Sequence, residues 1–327
     1  MIVSFILFII GLLVLAKSSS ILVDGSSSIA KNFKISPIVI GLTVVAFATS
    51  APELTVSVSA ALSGSTEIAL GNVIGSNIFN TLVILGLSAL IFPLSIHKNI
   101  VWREIPFSLL AAFLVFLFAV GVFLNSGVSF NIAGTQVLGY LTFANGIILL
   151  GFFIAFLIYV IKTARRGDPE SVEIKSMSLS KSLFYTAGGI LGLILASKYL
   201  VVNSAINIAT MLGLSQTLIG LTLVAVGTSL PELAASLAAA FKKNSDIVIG
   251  NIVGSNIFNL LLILGVTLLV KPVPVTGQNI FDIIFLLFVT VILFVLVFVL
   301  SRYKLNKIEG AILLIIYILY TAYIFVS

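Results

Sequence analysis

The chain lacks cysteine, has one histidine and carries few charges. Without cysteine it has no disulfide or thiolate site, and one histidine argues against a zinc or haem centre. Charged residues make up 9% of its 327 residues, whereas soluble domains carry about 25%. Hydrophobic residues make up 60%, and the mean hydropathy is +1.28. This composition predicts an all-α polytopic membrane protein, in which any metal chemistry uses oxygen ligands and hard cations.

Ten apolar segments are long enough to span a bilayer, which takes roughly 20 residues each. The first has no basic residue before Lys17, unlike a secretory signal, so we expect it to be a membrane helix. The predicted helices cover residues 2–23, 36–62, 67–92, 104–124, 136–162, 181–203, 215–240, 246–270, 280–301 and 307–326.

A single long polar stretch divides these helices into two sets of five. We expect residues 164–180 to form a cytoplasmic linker between a first five-helix repeat, residues 1–163, and a second, residues 181–327.

Basic residues predict the orientation of the chain. Of the 17 lysines and arginines, Lys17 and Lys198 lie within or near apolar segments and Lys271 falls in a loop predicted to be outside. By the positive-inside rule, both termini are extracytoplasmic and the chain is a multi-pass protein of the cell (inner) membrane. The basic residues separate apolar runs and build no nucleic-acid surface. Those assigned to the cytoplasmic side are Lys31, Lys34, Lys98, Arg103, Lys162, Arg165, Arg166, Lys175, Lys181, Lys242, Lys243, Arg302, Lys304 and Lys307.

One signature occurs twice. The first copy reads GLTVVAFATSAPEL followed by GNVIGSNIFN, and the second reads GLTLVAVGTSLPEL followed by GNIVGSNIFN. Matched residues are 179 positions apart, as 232 − 53 and 259 − 80 both show. Because each half has an odd number of helices, the second copy enters the membrane from the opposite side. Inverted repeats with motifs near the midplane are typical of secondary transporters.

Each copy places a glutamate, Glu53 or Glu232, inside an apolar segment next to a proline. An ionisable residue within a membrane indicates a functional site. The proline has no amide hydrogen, so carbonyl groups near Thr49 and Thr228 lose helical partners and become available to a cation. Two buried carboxylates therefore predict a cation site.

The second motif adds hydroxyl and amide oxygens. Ser76 and Asn80 are four residues apart, as are Ser255 and Asn259, so each pair shares a helix face. Calcium requires 6 to 8 oxygen ligands, and two glutamates with the carbonyls of Thr49 and Thr228 reach the lower bound. Sodium accepts the same kinds of oxygen, so the two ions would compete.

The paired motifs resemble the alpha repeats of the cation/calcium antiporter superfamily, specifically the prokaryotic sodium/calcium exchanger branch. Proton/calcium exchangers of this superfamily carry a glutamate in the second motif, whereas both copies here read GSN, which favours sodium coupling. The resemblance implies a secondary antiporter rather than an enzyme, working in the lipid bilayer with calcium and sodium as substrates. It implies no cofactor and no obligatory protein partner.

By the same resemblance, Glu53 and Glu232 are the central ligands, and the carbonyls of Thr49 and Thr228 complete the calcium site. Alternating access in the family involves the first and sixth helices, here residues 2–23 and 181–203, sliding across an eight-helix core. The flanking sodium sites would use Ser50, Ser76, Ser229 and Ser255 and the carbonyls of Ala46 and Ala225.

Asn259 departs from the family pattern, because archaeal relatives typically have aspartate at this position. Compared with aspartate, asparagine has no protonatable group and one negative charge fewer. The resemblance therefore makes potassium co-transport less expected, and it changes the net charge of a site that holds three sodium ions.

Three other classes of function fit part of this pattern. A proton-coupled calcium exchanger or a sodium/proton exchanger would use the glutamates as proton carriers. A passive cation channel would use them as a selectivity ring. An intramembrane hydrolase would use them as acid and base, but no nucleophile motif or metal-binding histidine accompanies them.

Overall fold

A computed structural model describes the fold at residues 2–64, 66–96, 98–125, 130–132, 135–163, 177–211, 225–300 and 303–326. The described residues are mainly helical, and several helices include a segment of wider π-helical turns.

The helices of the first half are α1 to α6. They are α1 (Ile2–Phe33), α2 (Pro37–Ile40, π-helical Gly41–Val45 and Ala46–Thr49), α3 (Ala51–Ser63), α4 (Thr66–Phe79, π-helical Asn80–Ile84 and Leu85–Ile91), α5 (Lys98–Asn125) and α6 (Phe143–Thr163).

The helices of the second half are α7 to α12. They are α7 (Leu179–Leu195, π-helical Ala196–Val202 and Asn203–Met211), α8 (Ala225–Thr228), α9 (Leu230–Phe241), α10 (Ser245–Ile257, π-helical Phe258–Ile263 and Leu264–Val270), α11 (Gly277–Val295 and π-helical Leu296–Leu300) and α12 (Lys307–Val326).

In the described part of the chain, five short strands form two antiparallel sheets at the ends of these helices. In the smaller sheet β1 pairs with β5, with Leu94 opposite Leu305. The larger sheet has the order β2-β3-β4, with Leu141 opposite Val273. The strands are β1 (Leu94–Ser95), β2 (Phe130–Ile132), β3 (Thr135–Leu141), β4 (Val273–Thr276) and β5 (Lys304–Leu305).

The membrane character predicted from composition agrees with the helix lengths. Among the described residues, eight helices are long and apolar enough to cross a bilayer, and α2 with α3 makes a ninth if that bent pair counts as one span. The predicted helix 215–240 lies partly outside the described residues, which resume at α8. Most of the predicted linker, at residues 164–176, also lies outside them.

Four predicted helix boundaries are wrong by six residues or more. The helix predicted from residue 104 begins at Lys98, and the one predicted to end at residue 203 continues to Met211. The segment predicted as helix from residue 136 is the strand β3 up to Leu141, because its backbone pairs with β2 and β4. The first helix does not stop at residue 23 but continues to Phe33. Its second half is rich in serine, which lowers local hydropathy, yet Ser26, Ser27 and Ser28 are buried.

Close backbone contact joins α2 of the first half to α10 of the second. A Cβ atom placed on Gly250 would lie 2.7 Å from the Ile38 carbonyl oxygen and 2.9 Å from the Gly41 Cα. One on Gly254 would lie 2.9 Å from the Leu42 Cα. Small residues at four-residue spacing allow this approach, and it brings the two motif-bearing segments together in the buried centre.

Candidate cation-binding site

Both copies of the repeated motif contain a break in the helix. Between α2 and α3, Ser50 has φ −82° and ψ 4°, and the two helices meet at a 44° bend. Between α8 and α9, Ser229 has nearly the same dihedral angles, φ −85° and ψ 4°. Pro52 and Pro231 lie in the first turn after each break, where the missing amide hydrogen is tolerated.

The two glutamates follow these breaks and are fully buried, with 0% of each side chain exposed. Each accepts a hydrogen bond from the serine at the opposite break. The Ser50 hydroxyl donates to Oε1 of Glu232 at 2.9 Å, and the Ser229 hydroxyl donates to Oε1 of Glu53 at 3.1 Å. The two halves of the chain therefore meet at this pair of acids.

Each glutamate also has an oxygen without a partner. Oε2 of Glu53 and Oε2 of Glu232 are buried and accept no hydrogen bond from any described residue. A buried carboxylate oxygen left in this way is costly unless a cation neutralises it. These two atoms are thus candidate ligands.

The serines of the second motif lie beside the glutamates. The Ser76 hydroxyl donates a hydrogen bond to the Ser229 hydroxyl at 3.2 Å, because the single Ser229 proton goes to Glu53. Ser255 lies near the Glu232 carboxylate, and its hydroxyl makes no hydrogen bond within the described part of the chain. Both are buried, so the sequence prediction that they point inward agrees with the geometry.

The two asparagines at the end of the second motif have different surroundings. Asn80 donates to Oδ1 of Asn256 at 3.2 Å, and Asn256 in turn donates to the Thr81 hydroxyl at 2.9 Å. Asn259 is fully buried, and neither its oxygen nor its nitrogen is bonded to a described residue. At the position equivalent to Thr81 the second half has Leu260, which offers no hydrogen bond.

The two alanines expected to supply carbonyl groups occupy similar places in the chain. The Ala46 carbonyl accepts the Ser50 amide at 3.0 Å, one turn before the break. Ala225 is the first residue of α8. In that half the Ser229 amide instead donates to the Val226 carbonyl at 3.1 Å, so the equivalent carbonyls are used differently.

Sequence reasoning missed two asparagines that contact the residues at the breaks, Asn72 and Asn251, and the serine bonded to each of them, Ser57 and Ser236. All four are buried. Asn72 donates to Ser57 at 3.0 Å, and Asn251 donates to Ser236 at 2.9 Å. The available signal was the repeat itself, since 251 − 72 and 236 − 57 both equal 179.

The site combines two carboxylates with hydroxyl and amide oxygens. The described residues contain no group of three or more histidine, cysteine, aspartate or glutamate side chains that would hold a metal ion. Neutral oxygens must therefore complete any coordination around Glu53 and Glu232. Such a ligand set suits calcium or sodium, which are hard ions, better than transition metals.

A model of the sodium/calcium exchanger protein family matches residues 3–162 and 181–326, nearly the whole chain. The putative antiporter CaxA from Alkalimonas amylolytica is 37% identical over 100% of both chains. The sodium/calcium exchanger MaX1 from Methanosarcina acetivorans is 32% identical over 99% of both.

A solved structure has the same overall arrangement. The sodium-calcium exchanger NCX_Mj, soaked with Na⁺ and Sr²⁺, superposes with a TM-score of 0.82 at 32% identity, covering 98% of both chains.

Proposed function

The chain belongs to the sodium/calcium exchanger protein family, and from that membership we propose that it is a secondary antiporter exchanging calcium for sodium. The observation that carries this proposal is the buried pair Glu53 and Glu232. They come from different halves, and each is hydrogen-bonded to a serine of the other half.

The glutamates are the central ligands of one calcium ion in this proposal. Their combined charge of −2 neutralises one divalent cation, and their unbonded Oε2 atoms are ready acceptors. The carbonyls of Thr49 and Thr228 add ligands at the two breaks.

Sodium ions occupy flanking positions that share the same glutamates, so calcium and sodium exclude each other. The sodium ligands in the proposal are the side chains of Ser50, Ser76, Ser229, Ser255, Asn80 and Asn259 and the carbonyls of Ala46 and Ala225.

Pairing of the strands supports ten membrane crossings. The paired strands β1 and β5 must lie on the same side of the membrane, so an even number of crossings separates them. Five candidate spans lie between them: α5, α6, α7, α10 and α11. A sixth crossing is needed, and the segment that ends with α8 and α9 supplies it. With the bent pair α2 and α3, the count is ten.

Alternating access requires a group of helices that moves as one body. Helices α1 and α7 are suited to this because they pack closely on each other: a Cβ atom on Gly189 would lie 2.7 Å from the Leu22 amide nitrogen. We assign them as the sliding pair, with the remaining helices forming the core of two inverted repeats, 1–163 and 181–327, joined by the linker 164–180. The membrane is the cell (inner) membrane, with both termini extracytoplasmic.

Transport by the full-length chain in liposomes tests this function. With sodium inside only, equal pH on both sides and a clamped membrane potential, we expect radioactive calcium to accumulate above its equilibrium level. The matched control is the Glu53→Gln variant, which should not accumulate calcium.

The same vesicles distinguish the alternatives. Uptake that ignores sodium but follows a pH gradient would contradict sodium coupling and indicate a proton-coupled exchanger. Calcium flux that runs only down its own gradient would indicate a passive channel.

A further inference from the structure

Two asparagines outside the proposed ligand set connect the helix breaks of opposite halves. Asn72 lies on α4 and donates to the Glu53 carbonyl at 3.4 Å and to the Ser57 hydroxyl at 3.0 Å, both on α3. Its Oδ1 atom accepts a hydrogen bond from the Thr228 hydroxyl on α8 at 3.2 Å. One amide thus links the segment after the first break to the segment before the second.

Asn251 on α10 makes the three equivalent contacts, two with the second half and one with the first. It donates to the Glu232 carbonyl at 3.4 Å and to the Ser236 hydroxyl at 2.9 Å, both on α9. Its Oδ1 atom accepts a hydrogen bond from the Thr49 hydroxyl on α2 at 3.1 Å.

Together the two amides hold all four helix ends that flank the breaks. The first break is held at Thr49 by Asn251 and at Glu53 by Asn72, while the second is held at Thr228 by Asn72 and at Glu232 by Asn251. Both nitrogen hydrogens and the oxygen of each amide are used, and both side chains are at least nine-tenths buried. These contacts fix the orientation of both amides.

From this arrangement we infer that Asn72 and Asn251 are positioning residues that couple the two half-sites for a hard cation. Each asparagine binds the threonine of the other half, whose carbonyl is a proposed ligand. It also binds the backbone carbonyl of the glutamate in its own half. Loss of either amide frees one end of each broken helix, so ligands from both halves lose their register. This inference rests on the proposed function and adds the residues that set its geometry.

The test compares paired and crossed double variants of the full-length chain. In the paired variants, Thr49→Val with Asn251→Ala and Thr228→Val with Asn72→Ala, both partners of one hydrogen bond are removed. In the crossed variants, Thr49→Val with Asn72→Ala and Thr228→Val with Asn251→Ala, the two changes affect different bonds. Valine keeps the shape of threonine, so the single threonine variants are also informative if an alanine variant folds poorly.

Half-saturating calcium concentration and maximal rate are measured separately in sodium-dependent uptake. Each asparagine variant should raise the half-saturating concentration by about 10- to 100-fold, the effect usual for groups that orient ligands. Effects in the paired double variants should be less than the product of the single effects, whereas effects in the crossed variants should multiply. Ser57→Ala and Ser236→Ala, which keep the link between halves, should leave the concentration nearly unchanged.

Melting temperature without ions provides the second measurement. The inference would be overturned by asparagine variants that have a lower melting temperature but the wild-type half-saturating calcium concentration. It would also be overturned if paired and crossed double variants behaved alike. If wild-type protein showed no sodium-dependent calcium uptake, the proposed function would fail. The coupling between halves would still be tested by the melting temperatures, where only the paired variants should deviate from additivity.

Discussion

At the scale of single residues, the main feature is two buried acids that face each other with one oxygen bonded and one unbonded. Like charges in one buried site disfavour ionisation of both, so ionised Glu53 and Glu232 would repel each other and oppose folding of the ion-free protein. A bound cation removes that repulsion. Ion binding and stability should therefore be linked at this site.

Replacing either Glu53 or Glu232 with glutamine tests that linkage. The amide keeps the shape and an acceptor for the neighbouring serine but removes one charge. We expect calcium exchange to be lost, while the ion-free melting temperature stays the same or rises. The stabilisation by calcium seen in the wild type should disappear, as followed by melting in detergent across a calcium titration. Normal transport by either variant would show that the acids do not share the ion.

Replacing Asn259 with aspartate should change the pH or sodium dependence of transport. The Asn259 amide has no partner among the described residues, so Asn259→Asp introduces a carboxylate without breaking a hydrogen bond. We expect calcium uptake to become inhibited at lower pH, or the sodium dependence to change, because the new group adds charge and can bind a proton. Asn80→Asp, at a position already bonded to Asn256, is the comparison. An unaltered pH profile and sodium affinity for the Asn259 variant would place this residue outside the site.

The acids, serines and threonines that the structure brings together could be predicted from the sequence because all lie in the repeated motif. Sequence reasoning did not find Asn72 and Asn251 as a connecting pair, although both lie in the same repeat. Spacing along a helix shows which residues share a face, but it does not show which face meets the other half of the chain. That information depends on how α4 and α10 pack against the breaks.

At the scale of helices and strands, close contact between α2 and α10 fixes where the two motifs meet. Gly250→Ala would place a Cβ atom 2.7 Å from the Ile38 carbonyl oxygen, which forces the helices apart. We expect the free energy of unfolding to fall by about 1–3 kcal/mol, as for other overpacked sites. Gly151→Ala is the control, because a Cβ there meets no described atom within 4 Å. Equal melting temperatures for the two variants would contradict this packing.

The end of α1 predicted to be cytoplasmic is tied to α9 by an ion pair. The Lys242 ammonium lies 2.8 Å from the Asp24 carboxylate and donates to the Ser20 carbonyl at 2.6 Å. The equivalent positions in the other half are Ser63 and Asn203, since 242 − 179 is 63 and 24 + 179 is 203. The residues at the equivalent positions of the other half are uncharged, so they cannot form the same ion pair.

Charge reversal tests the ion pair. Asp24→Lys or Lys242→Asp alone should open this end of α1 more often, and the double reversal should restore the closed state. Because the natural chain has no cysteine, disulfide formation between cysteines introduced at Ser27 and Asn244, which are hydrogen-bonded at 3.2 Å, reports closure directly. We expect the disulfide to form more slowly in each single charge reversal and at the wild-type rate in the double reversal. If the double reversal did not restore the rate, the ion pair would not hold α1 and α9 together.

Helix positions could largely be predicted from the sequence because apolar length alone marks a membrane span. Predictions failed where composition misleads. The strand β3 is apolar enough to resemble a helix, and its strand form depends on pairing with Val273–Thr276, far away in the sequence. The end of α1 contains buried serines that hydropathy counts as loop; Ser28, for example, is hydrogen-bonded to Ser182 on α7 at 2.8 Å.

At the scale of the whole molecule, the structure repeats itself with small differences. Both halves contain a broken helix followed by a long helix with a π-helical segment, at Asn80–Ile84 and Phe258–Ile263. The helix breaks of the two halves meet at Glu53 and Glu232, so the candidate site takes residues from both halves. The repeat is not exact, since Leu260 occupies the position equivalent to Thr81.

Diffraction from crystals soaked with calcium, recorded to give the anomalous signal of the ion, tests the central claim most directly. A single strong peak should lie between the carboxylates of Glu53 and Glu232, within about 2.3–2.6 Å of oxygens from both. It should vanish in crystals soaked with excess sodium. A peak bound to one glutamate alone, or located elsewhere in the protein while the two acids stay empty, would contradict the account.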